Sequence, residues 1–104
     1  MLAVTRLRGD DLLGEARAAL SALAARPGFV RGRVGRSLDD AAAWVLATEW
    51  EGVGAYRRAL SSFDVKAAAT GLFVRAEDEV STYDVVFSAD ASAGAGAGGA
   101  GTPR

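Results

Sequence analysis

The sequence predicts an α+β sandwich with an antiparallel sheet, built in the order strand, helix, strand, strand, helix, strand. Three observations predict it. Apolar residues alternate with period two over residues 41–50, they recur at three- and four-residue steps over residues 13–24 and 53–63, and 104 residues suit a single domain. This order is the split βαβ arrangement, and right-handed crossovers put its first and third strands in the middle of the sheet.

The first two elements are a strand and a helix. A short strand is predicted over residues 1–7, and Gly9 ends it. Asp10 and Asp11 then offer N-cap oxygens to a helix, which stops at Pro27. The apolar stripe predicted for this helix consists of Leu13, Ala16, Leu20, Leu23 and Ala24.

A hairpin is predicted next, with strands over residues 29–38 and 41–50 and turn residues over 37–40. The first of these strands carries three arginines, which is typical of a sheet edge. The second is uncharged over residues 41–47, as expected of a central strand. Its two faces consist of Ala42, Trp44, Leu46, Thr48 and Trp50 on one side and Ala41, Ala43, Val45 and Ala47 on the other. Because both faces are apolar, we expect a second copy of the chain to cover the face that the helices leave open.

The second half of the chain starts with a helix predicted over residues 52–62, followed by a shorter helical segment over residues 64–76. A strand over residues 80–88 is the last predicted folded element. The expected domain therefore covers residues 1–88, and the Ala- and Gly-rich residues 89–104 are expected to form a flexible tail. The predicted sheet-facing stripe of the second helix consists of Val53, Tyr56, Leu60 and Phe63.

Composition narrows the possible chemistry. The chain has no histidine and no cysteine, so the commonest general base, thiolate nucleophiles, zinc-thiolate sites and disulfides are excluded. Its net charge is -1 with scattered arginines, which argues against nucleic-acid binding. The longest uncharged run before the tail, residues 41–48, is too short to span a membrane. We expect a cytoplasmic protein without a metal site.

Several positions together resemble the antibiotic biosynthesis monooxygenase family. They are Trp44 to Trp50 closing the third strand, Tyr56 in the next helix, Ser61 to Phe63, Val65 to Ala69, and Thr82 to Val86. The resemblance implies a ferredoxin-like subunit that pairs with a second copy into a dimeric α+β barrel, with a pocket between sheet and helices. Several members oxidise polycyclic phenols or quinols with oxygen and without a bound metal or flavin, so no cofactor is expected.

The resemblance also implies roles for individual residues. Trp50 would donate its indole N–H toward a substrate or peroxide oxygen, and Tyr56 would hydrogen-bond the phenolic oxygen of a small aromatic substrate. Tyr56 is a poorer candidate for a base, because lowering a tyrosine pKa from about 10 to about 7 takes about 4 kcal/mol. An asparagine of the quinone-forming members is replaced here by Leu46. The residues predicted to bind substrate are Trp44, Leu46, Leu60, Phe63 and Arg75.

A second hypothesis needs no catalysis. Trp50 and Tyr56 are large side chains that could simply pack in a core, with their polar atoms bonded to neighbours. The chain would then be a dimeric module that binds a small hydrophobic ligand or only itself. The two hypotheses differ in whether the indole N–H and the phenol O–H are free to meet a ligand. Under either hypothesis the sequence leaves the natural ligand open.

Overall fold

The computed structural model describes residues 1–79 and 81–91 of the chain. Over these residues the protein is a four-stranded antiparallel sheet in the order β2-β3-β1-β4, together with three helices. The predicted α+β class is confirmed, and so is the strand order with the first and third strands at the centre. The elements are β1 (Leu2–Arg8), α1 (Leu13–Ala24), β2 (Phe29–Arg36), β3 (Ala43–Trp50), α2 (Val53–Ser61), α3 (Phe63–Phe73) and β4 (Thr82–Tyr83).

The predicted stripe of α1 is right in its middle and wrong at its ends. Ala16 and Leu23 are buried and Leu20 packs against the core, whereas Leu13 is 45% exposed and Ala24 is exposed. Leu12, just before the first turn, is buried in place of Leu13. Asp11 is not the N-cap residue, although its Oδ1 accepts a hydrogen bond from the Leu13 N–H at 3.4 Å. The buried stripe is Leu12, Ala16, Ala19 and Leu23.

The predicted hairpin is present with a longer turn. The Ser37 hydroxyl oxygen accepts hydrogen bonds from the Asp39 and Asp40 N–H groups, and Asp40 Oδ1 accepts one from the Ala42 N–H. These side-chain contacts replace ladder hydrogen bonds, as is usual in turns. Strand β2 therefore ends at Arg36, and β3 begins at Ala43.

Strand β3 presents its side chains alternately to the two faces of the sheet. Its helix-facing side chains, Trp44, Leu46, Thr48 and Trp50, are all buried. On the opposite side, Ala43, Val45 and Ala47 are half-buried because no helix of the described chain covers that face. We call this half-open side of β1, β2 and β3 the outer face of the sheet.

Helices α2 and α3 are separated at Ser62. The Ser62 hydroxyl donates to the Ala59 carbonyl at 2.8 Å and accepts from the Val65 N–H at 3.3 Å, which caps α3. The predicted stripe of α2 is wrong at its ends, since Val53 is 43% exposed and Phe63 is 82% exposed. The break at Ser62 puts Phe63 on a new helix with its own orientation. The residues that α2 buries fully are Ala55 and Ala59.

Strand β4 is shorter than the predicted strand over residues 80–88. Tyr83 pairs with Leu2, the first residue of β1. Residues 84–91 have no regular structure, and their side chains are exposed. The prediction is therefore wrong over residues 84–88. Most of the predicted tail, residues 92–104, lies outside the described residues.

Gly28 provides a test of the connection between α1 and β2. Its φ is +88°, and a Cβ built there would lie 2.4 Å from the Ala55 Cβ. We expect Gly28→Ala to lower the free energy of unfolding by at least about 1–3 kcal/mol, because the left-handed conformation and the clash both oppose it.

The matched control is Gly14→Ala in α1, where an added Cβ meets nothing within 4 Å. That change should raise stability by about 0.5–1 kcal/mol, as expected inside a helix. Urea denaturation followed by circular dichroism measures both variants. Equal stability of the two variants would contradict this account of the turn.

Candidate active site

Trp50 is the last residue of β3 and is held rigidly in place. Its side chain is 1% exposed, and its indole N–H donates a hydrogen bond to the Thr48 Oγ1 at 2.9 Å. The Phe29 ring meets it edge-on with the ring centroids 5.2 Å apart. The donor that was predicted to face a ligand is therefore bonded to a side chain two residues away.

Tyr56 also packs against the indole of Trp50. The chain turns at Gly52, starts α2 at Val53, and brings the Tyr56 ring centroid to 5.7 Å from that of Trp50 with the planes tilted by 54°. Tyr56 is half-buried. Within residues 1–79 and 81–91 its hydroxyl has no hydrogen-bond partner, so this hydroxyl is the free donor of the pair.

Burial raises the pKa of the Tyr56 phenol above its ordinary value of 10.0. The cause is desolvation, which disfavours the tyrosinate relative to the neutral phenol. At neutral pH Tyr56 is therefore a neutral hydrogen-bond donor and not a base.

Two of the residues predicted to bind substrate lie at the opposite end of the sheet. Trp44 is six residues before Trp50 on the same strand, a distance of about 20 Å. Its N–H donates to the Gly9 carbonyl at 3.2 Å, and the Arg36 guanidinium stacks on its ring at 5.1 Å. Arg75 is near that end too, where it pairs with Glu15 at 3.5 Å. The structure does not bring these two residues together with Trp50.

The other three predicted residues are distributed differently. Leu46 is buried in the core on the helix-facing side of β3, and Phe63 projects into solvent at the start of α3. Leu60 follows Tyr56 by one turn of α2 and is partly buried against the core. Leu60 is the only residue of the predicted substrate-binding set that lies on α2, the helix that carries Tyr56.

An open cleft lies between α2 and α3. Its volume is about 350 Å³, within the range of small-molecule sites. Its walls are mainly apolar, and no acidic residue is among them. The lining residues are Leu60, Val65, Lys66, Ala69, Thr70, Phe73 and Val74. We call this the α2–α3 cleft.

Of these lining residues, only Leu60 was predicted from the sequence to bind substrate. Lys66, Thr70 and Phe73 recur at four- and three-residue steps on α3, so a helical-face analysis of this segment would have grouped them. The alanines that follow Lys66 indicate a helix but do not indicate a binding face. Lys66 is the only lysine of the chain.

Two other features, a metal site and a membrane-spanning helix, are absent from the described part of the chain. In residues 1–79 and 81–91, no three His, Cys, Asp or Glu side chains group together in a way that could hold a metal ion. No helix in the same part of the chain is long and apolar enough to cross a membrane.

The raised pKa of Tyr56 can be measured directly. A Tyr83→Phe variant leaves Tyr56 as the only tyrosine. We expect its tyrosinate absorbance to appear above pH 10 in the native protein and at about pH 10 in urea. Burial of the neutral phenol contributes fully to the free energy of unfolding below about pH 10. This contribution is lost as the pH rises through the pKa of Tyr56 in the native protein. Coincident native and denatured titrations would contradict the assigned burial.

Comparison with known proteins supports the same fold. Residues 2–71 match the family described as Antibiotic biosynthesis monooxygenase. A point mutant of SnoaB, a cofactor-independent oxygenase from Streptomyces nogalater, is 26% identical with a TM-score of 0.62, covering 73% of this chain and 82% of that one. A candidate antibiotic biosynthesis monooxygenase from Deinococcus radiodurans is 16% identical with a TM-score of 0.71, covering 88% and 97%.

At 16% identity the second likeness concerns the fold alone. No protein in the curated set matches the sequence. The family match spans two thirds of the chain and includes β1, α1, the hairpin, the Trp50–Tyr56 junction and most of α3. The chain belongs to the antibiotic biosynthesis monooxygenase family.

Proposed function

We propose that the protein is a cofactor-independent monooxygenase that oxidises a small aromatic, polyketide-like molecule with oxygen. The observation that carries the proposal is Tyr56, whose ring packs on a fixed indole and whose hydroxyl has no partner among the described residues. An apolar cleft begins at Leu60, one turn further along α2. Family membership and the likeness to SnoaB, a cofactor-independent oxygenase, support it.

The α2–α3 cleft is the proposed substrate site. Leu60 connects it to Tyr56, because residues four apart on a helix are neighbours on the same face. A fused-ring phenol lying along α2 would place its oxygen toward the Tyr56 hydroxyl and its rings against the apolar walls.

The proposed reaction draws all its electrons from the substrate. A phenol whose ring carries an activated CH2 group loses a proton, and the electron-rich anion reacts with oxygen at that carbon. The CH2 group and O2 become a carbonyl group and one water molecule, so no external reductant is needed. The protein contributes a water-poor cavity and donors for the developing negative charge.

Tyr56 is the proposed donor to the phenolic or peroxide oxygen. Trp50 is proposed to share the catalytic site, first as the wall that orients Tyr56. Donation by its own N–H would require release of the bond to Thr48 Oγ1. Trp44, Leu46, Phe63 and Arg75 remain predictions as substrate contacts, and their positions give them less support than Leu60 has.

Oxygen uptake tests the reaction. Anaerobic protein mixed with anthrone and then with oxygen should consume oxygen, and Tyr56→Phe should slow uptake about a hundredfold, as loss of one transition-state donor does. Tyr83→Phe removes the same group from an exposed tyrosine and is the control. Uptake by a Trp50→Phe, Tyr56→Phe double variant at the wild-type rate would refute the catalytic assignment.

One observation favours the non-catalytic alternative, a dimeric module that binds a small hydrophobic ligand. The indole N–H is already satisfied by Thr48, as expected of a packing residue. Under this alternative the cleft binds the same aromatic probe without oxygen uptake. The uptake measurement therefore separates the two functions.

A homodimer is the proposed assembly. The outer face of the sheet has half-buried Val4 and Val45 at its centre, and residues 84–91 leave Val86 and Phe87 exposed at 89% and 85%. Face-to-face packing of two such sheets would cover apolar area that one chain leaves wet.

We expect the wild type to sediment as a dimer and Val45→Arg to sediment as a folded monomer, because a buried, unpaired guanidinium opposes association. Leu38→Arg, at a fully exposed turn position, is the control and should stay dimeric. Sedimentation equilibrium measures all three. A monomeric wild type would overturn the proposed dimer.

A further inference from the structure

The charge of the α2–α3 cleft carries information about its ligand. Its lining contains one charged side chain, Lys66, and no carboxylate. In the part of the chain covered by residues 1–79 and 81–91, the Lys66 ammonium takes part in no ion pair and donates no hydrogen bond. An unpaired cation at an apolar wall favours an anionic ligand.

The neighbouring polar group does not replace that cation. The Thr70 hydroxyl donates its hydrogen to the Lys66 carbonyl at 2.6 Å. Thr70 therefore presents acceptor lone pairs to the cleft, and Lys66 supplies the donors. Four arginines are held in salt bridges at other surfaces, namely Arg6, Arg8, Arg31 and Arg75.

We propose that Lys66 determines specificity in the α2–α3 cleft, which takes an organic anion with an aromatic body and a carboxylate, sulfonate or phenolate group. The rings pack on Leu60, Ala69 and Phe73, and the anionic oxygen pairs with the ammonium. The inference rests on the proposed function, because it names the class of molecule that the proposed substrate site accepts. In that reaction Lys66 favours the ionised phenol.

Two fluorescent probes with the same rings test this preference. Anilinonaphthalene sulfonate carries an anionic group, and phenylnaphthylamine lacks it. We expect the wild type to bind the sulfonate more tightly than the neutral probe. Lys66→Met should weaken sulfonate binding about tenfold, the value of one charge-assisted hydrogen bond, and change neutral-probe binding by less than about twofold. Lys66→Arg should retain the preference.

A variant that loses a positive charge far from the cleft is the control for a general electrostatic effect. Arg17→Gln removes one exposed cation from α1 and should leave both affinities unchanged. The rate of acetylation shows whether the sulfonate probe binds beside Lys66. Lys66 is the only lysine, and the Met1 amino group serves as an internal reference. The sulfonate should slow acetylation of Lys66 relative to Met1.

Equal sulfonate affinity of wild type and Lys66→Met, or unchanged acetylation of Lys66 at saturating probe, would overturn the inference. These measurements involve no oxygen chemistry. Lys66-dependent binding without oxygen uptake would reject the proposed reaction and keep the anion site. Uptake that depends on Tyr56 but not on Lys66 would do the opposite.

Discussion

The hydrogen bond from the Trp50 indole to Thr48 fixes the junction on which the rest of the site depends. Both residues lie on the helix-facing side of β3, and both are buried. An indole N–H without a partner at this depth would cost about 1–3 kcal/mol, so the threonine hydroxyl makes burial of the largest core side chain possible. Phe29 and Tyr56 both pack on a ring whose orientation is already set. The first turn of α2 is positioned against the sheet by this contact.

Small side chains let the helices approach that strand. The helices bury mainly alanines toward the sheet, and their larger buried side chains are few. The buried alanines are Ala16 and Ala19 of α1, Ala55 and Ala59 of α2, and Ala69 of α3. A thin helical layer leaves space at its margins, and the α2–α3 cleft is such a margin. The pleat of β3 has the opposite effect on the other side, where Val45 and its neighbours remain half-open. The proposed pocket therefore lies in the helical layer on one side of β3, and the proposed interface lies on the other side.

Strand order and hairpin position could be predicted because charge and periodicity agree there. The arginines of β2 indicated an edge, and the uncharged β3 indicated the centre. The buried stripe of α1 could be predicted at Ala16 and Leu23 but not at its start, since only packing selects Leu12 over Leu13. The end of β4 at Tyr83 depends on pairing with β1, far away in the sequence, and the alternation of apolar residues does not reveal it. Lys66 was missed because a single lysine among alanines carries no pattern until α2 is placed beside it.

In the proposed site, Tyr56 supplies a hydrogen-bond donor and a different residue, Lys66, supplies the positive charge. Burial raises the pKa of Tyr56, so its phenol stays neutral and can donate to an oxygen atom without removing a proton from the substrate. With no histidine in the chain, a lysine or arginine side chain is the cation that could add charge stabilisation to this hydrogen bond in the proposed reaction. Lys66 is the cation that lines the α2–α3 cleft, and an ammonium within about 4–6 Å favours the ionised form of an acid. In the proposed reaction an acidic phenol beside Lys66 loses its proton to solvent water, so no side chain has to act as a general base.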